Sequence, residues 1–161
     1  MKESKCLEFK SAITNSFLKT VSAYSNFGDG EILFGVNDDG SVCGIDNLEQ
    51  VCLDIENKIN DSITPKPDFE IGIDEIKQTI RLMVYEGQYK PYLYKGKAYR
   101  RSDTASIEVD QAELKELVLL GSNLYFEELP YGKDNLTFHE LTDKLMEKLN
   151  LNAVSEDILR T

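Results

Sequence analysis

The chain has 161 residues, 41% of them hydrophobic, which is enough for a buried core and excludes disorder as the default state. Its 29 acidic and 18 basic residues leave a formal net charge of −11, a field that repels nucleic acid and anionic membrane unless basic residues are concentrated locally. The three cysteines, Cys6, Cys43 and Cys52, form no CxxC pair, no apolar run is long enough to cross a membrane, and the start MKESKCLEFK lacks the apolar stretch of a signal peptide. The expectation is a cytoplasmic chain with no disulfide framework and no membrane association.

Residues 10–26 predict a helix with Ile13, Phe17, Leu18, Val21 and Tyr24 along one face. Gly28 and Gly30 end it, and residues 31–36 predict a strand. A turn at 37–40 then leads into a return strand at 41–45, completing a hairpin. Residues 48–62 predict a second helix, with Val51, Ile55 and Ile59 inward and Asn47 and Gln50 spaced as a capping box. Strands follow at 69–73 and 78–85; in the second, Ile80, Leu82 and Val84 share one side, and Thr79, Arg81 and Met83 the other.

A second hairpin is expected from 92–94, through the Lys95-Gly96 turn, to 97–101. A short helix occupies 111–120 and is broken by Gly121-Ser122-Asn123. Residues 137–149 predict an amphipathic helix with Phe138, Leu141, Leu145 and Met146 on its apolar face. From Ser155 a further helical pattern begins at the end of the sequence, and both a natural terminus and a truncated chain fit it. This order predicts an α+β fold with a mixed, mainly hairpin-built sheet packed by helices, followed by a C-terminal helical extension.

The acidity is uneven. Residues 1–105 carry 13 basic and 17 acidic residues, residues 106–161 carry 5 and 12. Two basic groups stand out, Lys2, Lys5, Lys10 and Lys19, and then Lys95, Lys97, Arg100 and Arg101. Tyr92, Tyr94 and Tyr99 alternate with the second group, so the hairpin either offers cations to phosphates and rings to bases, or buries its tyrosines and leaves the cations as a solvated face. The run NFGDGEILFGVNDDGSVCG has neither G-x-G-x-x-G entering a helix nor a GKS/GKT, and its glycines follow a helix and enter a strand. Gly28, Gly30, Gly35, Gly40 and Gly44 therefore read as turn and close-approach positions, with anion binding at exposed turn amides the alternative.

Glu3 and Glu8, five residues apart, with Asp39 or Asp46 from the first hairpin, form an oxygen-ligand set that could hold Mg²⁺ or Mn²⁺ and activate water, with Lys10 on a phosphate. In so acidic a chain such spacings also arise without function. His139 is the only histidine, so no Ser/His/Asp arrangement can be built around it with support. Cys43 and Cys52 read as small hydrophobes in a strand and a helix.

Three segments together carry a resemblance: ESKCLEFK at 3–10, FLKTVSAYSNFGDGEILFGVNDDGSVCGI at 17–45 and YKPYLYKGKAYRRSDTASIEVD at 89–110. Over roughly residues 3–120 the chain resembles the Schlafen-type AlbA_2 domain, also called the divergent AAA-4 domain. The resemblance implies a DNA-binding domain at 1–121, forming the N-terminal part of a bacterial transcriptional regulator or helicase-like protein. Residues 122–161 would be an acidic helical linker or the start of the next module. Eukaryotic relatives include RNA endonucleases that use three carboxylates with a divalent metal, the first two separated as Glu3 and Glu8 are. Those nucleases join two lobes into a clamp, which implies a homodimer or a further module for a single-lobe chain. A departure from the usual pattern follows Arg101, where Asp103 stands near the family's glycine; it either weakens phosphate contact or makes a turn. Two other functions stay open beside DNA or RNA binding through Lys10, Lys95, Lys97, Tyr99, Arg100 and Arg101. One is metal-dependent nuclease activity, and the other is a dimerisation or ligand-sensing role without nucleic acid.

Overall fold

The computed structural model describes residues 2–128, with side chains through residue 122. Met1–Glu127 form one unit and Glu128–Thr161 another, and the described residues are those of the first from residue 2, together with Glu128. The helix expected at 137–149, with His139, and the pattern from Ser155 lie outside the described residues.

In chain order the elements are β1 (Leu7–Lys10), α1 (Phe17–Phe27), β2 (Gly30–Phe34), α2 (Leu48–Ser62), β3 (Ile63–Thr64), β4 (Phe69–Asp74), β5 (Thr79–Val84), β6 (Leu93–Tyr94), β7 (Tyr99–Ser102), β8 (Ala105–Glu108) and α3 (Gln111–Glu128). The fold is α+β. Its main sheet has the order β1-β2-β5-β4, with β1 parallel to β2 and the other pairs antiparallel. Alternation in the two interior strands decides which face is covered. Ile32, Phe34, Ile80, Leu82 and Val84 are fully buried, while on the other face Glu31 and Arg81 form an ion pair at 3.0 Å. Phe17, Leu18, Val21 and Tyr24 of α1 and Ile55 and Ile59 of α2 join the same core, and the Phe17 and Phe34 rings meet edge to face at 5.3 Å.

Several expectations are corrected. The first helix starts at Phe17, not residue 10, because Leu7–Lys10 is a strand that pairs with β2 and buries Phe9. The return strand at 41–45 shrinks to one bridge between Val36 and Val42. Gly35 and Gly44, at φ 86° and 77°, take a left-handed conformation that breaks the two-residue alternation. The amides of Cys43 and Gly44 then both donate to the Gly35 carbonyl, at 2.9 and 3.0 Å, so the chain curls and Cys43 is exposed rather than packed as a small hydrophobe.

Asn47 does precede α2, yet its side chain makes no capping bond and Gln50 donates to Asp54 instead. A reciprocal capping box forms at α3, where the Glu113 amide donates to Asp110 Oδ1 at 2.8 Å and the Asp110 amide to Glu113 Oε2 at 3.0 Å.

The expected second hairpin is also rearranged. Between 92–94 and 97–101 only the Tyr94–Lys97 bridge remains; β6 pairs with β3, and β7 pairs with β8. The β7–β8 hairpin closes over Asp103 and Thr104, with Asp103 at φ 57°, a conformation its short polar side chain tolerates. α3 runs through Gly121 without a break. A Cβ at Gly121 would lie 1.9 Å from the Lys90 carbonyl oxygen, so the glycine permits close packing of helix on backbone.

Candidate nucleic-acid interface

The candidate hairpin is positioned by a polar clamp on α1. Asn26 is 1% exposed; its Oδ1 accepts the Tyr92 amide at 2.7 Å and its Nδ2 donates to the Tyr92 carbonyl at 2.9 Å. Ser22, one turn earlier, donates to the same carbonyl at 2.8 Å and accepts the Tyr99 amide at 3.3 Å. The two side chains thus satisfy buried backbone groups that no neighbouring strand reaches. The Ser22-x-x-x-Asn26 spacing, one helical turn, is the signal that would have revealed this clamp.

The clamp turns the tyrosines inward. Tyr92, Tyr94 and Tyr99 are buried, so the reading in which they stack on bases is replaced by one in which they form core. The rings of Tyr94 and Tyr99 lie 6.4 Å apart, and each carries a lysine ammonium: Lys95 Nζ lies 5.4 Å from the Tyr94 centroid and Lys19 Nζ 5.6 Å from that of Tyr99. Both lysines are exposed, and neither has an acidic partner among the described residues. Lys19, placed here by α1, is a contributor that the hairpin sequence alone does not point to.

The other basic candidates are engaged. Lys97 Nζ meets Glu108 at 2.8 Å, and this hydrogen bond and the carboxylate charge hold its ammonium above the ordinary lysine value. Arg100 Nε lies 2.8 Å from Glu113 Oε1, an ion pair by distance without the alignment of a hydrogen bond. Arg101 is 5% exposed; its Nη1 reaches Glu8 Oε2 at 3.4 Å and Ser106 Oγ at 3.0 Å. Glu8 is also buried, and its Oε1 takes Lys10 Nζ at 2.6 Å. This Lys10–Glu8–Arg101 group ties β1 to β7, and removing one member of such a buried pair typically costs about 3–5 kcal/mol.

The four candidate carboxylates stand in different settings. Glu3 Oε1 accepts the Phe9 amide at 2.8 Å, and Glu8 faces its two cations. Asp39 closes its own turn, accepting from the Ser41 amide at 2.8 Å and hydroxyl at 2.6 Å; these bonds hold its carboxyl below the ordinary value. Asp46 is exposed. Among the described residues no three His, Cys, Asp or Glu side chains converge on a point where a metal ion could sit. Among those residues, too, no helix is long and apolar enough to cross a membrane.

The sequence model of the Schlafen, AlbA_2 family matches residues 3–110. No curated protein matches the chain. Among solved structures, the DIP2311 protein from Corynebacterium diphtheriae is similar at 17% identity and a TM-score of 0.50, over 70% of this chain and 26% of that one. The chain thus spans about a quarter of that protein's length. The N-terminal domain of a RecG-related protein from Nitrosomonas europaea, named for ATP-dependent DNA helicases, is similar at 20% identity and a TM-score of 0.47, over 69% of this chain and 84% of that domain.

Proposed function

The chain belongs to the Schlafen AlbA_2 family, and from that premise we propose that it is a nucleic-acid-binding module of a larger regulator or helicase-like protein. The observation that carries the reading is the edge where Lys19 and Lys95, free of acidic partners among the described residues, stand over the buried Tyr99 and Tyr94 rings. Lys97, on the same bridge as Tyr94, adds a third ammonium whose charge is offset by Glu108. Ammonium groups contact phosphates, and the buried rings of Tyr94 and Tyr99 offer no stacking face at this edge, so the contact there is to the backbone and is indifferent to base sequence. With a net charge of −11 behind it, binding is weak and salt-sensitive.

The test is a fluorescence-anisotropy titration of the full chain with labelled single strands and duplexes of DNA and RNA at low salt. The proposal expects saturable binding that Lys19→Ala/Lys95→Ala abolishes or weakens by about tenfold or more, with the same loss on unrelated sequences. Absence of binding at low salt, or a double variant that binds as the parent does, overturns it.

A further inference from the structure

β4 is an end strand of the main sheet, and one of its sides pairs with β5. The Tyr85 amide donates to the Asp68 carbonyl at 3.0 Å, which fixes the phase of that ladder. Bonded pairs alternate along antiparallel strands, so Glu70, Gly72 and Asp74 turn their amides and carbonyls to β5, and Phe69, Ile71 and Ile73 turn theirs outward. Among the described residues no hydrogen bond is made to these outward groups. No proline, lysine or bulge interrupts Phe69–Asp74, so the edge lacks the features that ordinarily keep a further strand away.

Gly72, in the middle of this strand, is unexplained within one chain. Its φ is not left-handed, and a Cβ there would meet nothing within 4 Å. A glycine inside a strand loses packing and often marks the close approach of another group. On the open face of the sheet Gly72 stands beside Arg81, whose Nη2 meets Glu31 at 3.0 Å while its side chain stays 60% exposed. The bare backbone of Gly72 leaves the other N–H groups of that guanidinium a path outward across the edge. Glu70, on the same face, is exposed and has no cationic partner among the described residues. An acid and a gap two residues apart make the strand complementary to its own antiparallel copy, because the acid of each falls on the gap of the other. On the opposite face Phe69 and Ile71 pack against the core, and Ile73, 43% exposed, lines with Leu53 a groove of about 620 Å³ beside α2.

We propose that two copies of this chain pair through β4, antiparallel about a two-fold axis at Ile71, joining their main sheets into one. The pairs Phe69–Ile73, Ile71–Ile71 and Ile73–Phe69 supply about six backbone bonds between the chains. Glu70 of each copy lies opposite Gly72 of the other and reaches its Arg81 over the glycine, across about 10 Å of backbone spacing. Moving the axis by one residue sets Glu70 against Glu70 or against Asp74 of the other copy, so like charges reject both neighbouring registers. Asp68 falls opposite Asp74, whose carboxylate is already held by the Ile76 and Lys77 amides and by Lys77 Nζ at 3.6 Å. Phe69 of one copy meets Ile73 of the other beside the groove, and Pro67, without an amide, ends the ladder. Each copy has one such edge, so assembly closes at two. The interface shares no residue with the Lys19–Lys95 edge and does not depend on nucleic-acid binding.

Sedimentation velocity of the full chain, from micromolar to millimolar concentration, is expected to show a reversible monomer–dimer equilibrium. Hydrogen exchange over the same range reads the phase of the ladder. The amides of Phe69, Ile71 and Ile73 are expected to slow as concentration rises, while those of Glu70 and Gly72, already bonded to β5, respond less. Glu70→Arg sets arginines against each other at both symmetry-related sites and is expected to weaken the dimer about tenfold. Adding Arg81→Glu to it is expected to restore most of the loss. Ile71→Pro removes the amide at the axis, which faces away from β5, and is expected to abolish the dimer; the charge swap decides the matter if that variant fails to fold. A chain that stays monomeric at millimolar concentration overturns the proposal. So do the three amides protected equally at every concentration, which assigns the edge to another segment of the same chain. A dimer in which those amides do not slow, or one that Glu70→Arg leaves as tight as the parent, or that Arg81→Glu fails to rescue, also overturns it. Species that grow beyond the dimer contradict the closed two-fold pairing.

Discussion

At the scale of single residues, the clearest cases are positions where a general propensity and the local packing disagree. A glycine inside a helix is ordinarily worse than alanine by about 1 kcal/mol. At Gly121 the Lys90 carbonyl occupies the place of a Cβ, so overpacking of about 1–3 kcal/mol reverses the sign. Gly121→Ala is therefore expected to lower stability in urea unfolding, and a stabilised variant would show that the backbone of residue 90 yields. Asp74 illustrates a charge effect in the β4–β5 turn. Its Oδ1 accepts the amides of Lys77 at 3.0 Å and Ile76 at 3.1 Å, and these bonds, Lys77's foremost, hold its carboxyl below the ordinary 3.8. A carboxyl depressed in the folded chain takes up a proton more readily when unfolded. Its contribution is therefore present above 3.8 and is lost as pH falls through the folded value. Asp74→Asn cannot titrate. The parent is expected to melt above the variant at neutral pH, with the gap closing in acid; a gap independent of pH would remove the charge from the explanation.

At the scale of elements, α1 owes its position as much to polar groups as to its apolar face. Loss of Asn26 leaves the buried Tyr92 amide and carbonyl short of partners, so Asn26→Ala is expected to cost about 2–3 kcal/mol in denaturant unfolding, with amide exchange at Tyr92 and Tyr99 accelerated. A cost no larger than that of an exposed Asn→Ala change would show the clamp to be dispensable. The same elements show what sequence reasoning reaches. The bounds of α2 and the inward residues of β5 followed from plain periodicity over long segments. β1 and β8 were missed because four residues give too short a pattern, and because the partner of β1 is parallel and distant in sequence. The hairpin at 92–101 was misread because strand alternation alone does not say which strand is the partner, and Asp103 closes a different pair. The Asp110-x-x-Glu113 spacing carries the same capping signal as Asn47-x-x-Gln50, and of the two only the Asp110–Glu113 pair forms the reciprocal bonds.

At the scale of the molecule, charge is the governing quantity. The family segment, residues 3–110, itself carries 12 basic and 19 acidic residues, so family membership does not bring a basic domain with it. Of the candidate site, the lysine–tyrosine interleaving was visible in the sequence, but its sense was not. Of the two senses left open, stacking rings or buried ones, Tyr94 and Tyr99 take the buried one, and the acids Glu8, Glu108 and Glu113 take up Arg101, Lys97 and Arg100. These pairings join residues up to 93 apart in sequence, beyond the reach of local patterns. Of the hairpin cations, Lys95 alone has no acidic partner among the described residues, and with Lys19 of α1 it makes the edge proposed to meet a phosphate backbone. The salt dependence of binding tests that claim most directly, because each phosphate neutralised adds a fixed slope. Affinity for single strands and duplexes is measured over a series of salt concentrations for the parent and for Lys19→Ala/Lys95→Ala. The account predicts that the double variant loses about 1.4 from the magnitude of the log–log slope on single strands and about 1.8 on duplexes. An unchanged slope, or a parent that binds neither polymer at low salt, would contradict it.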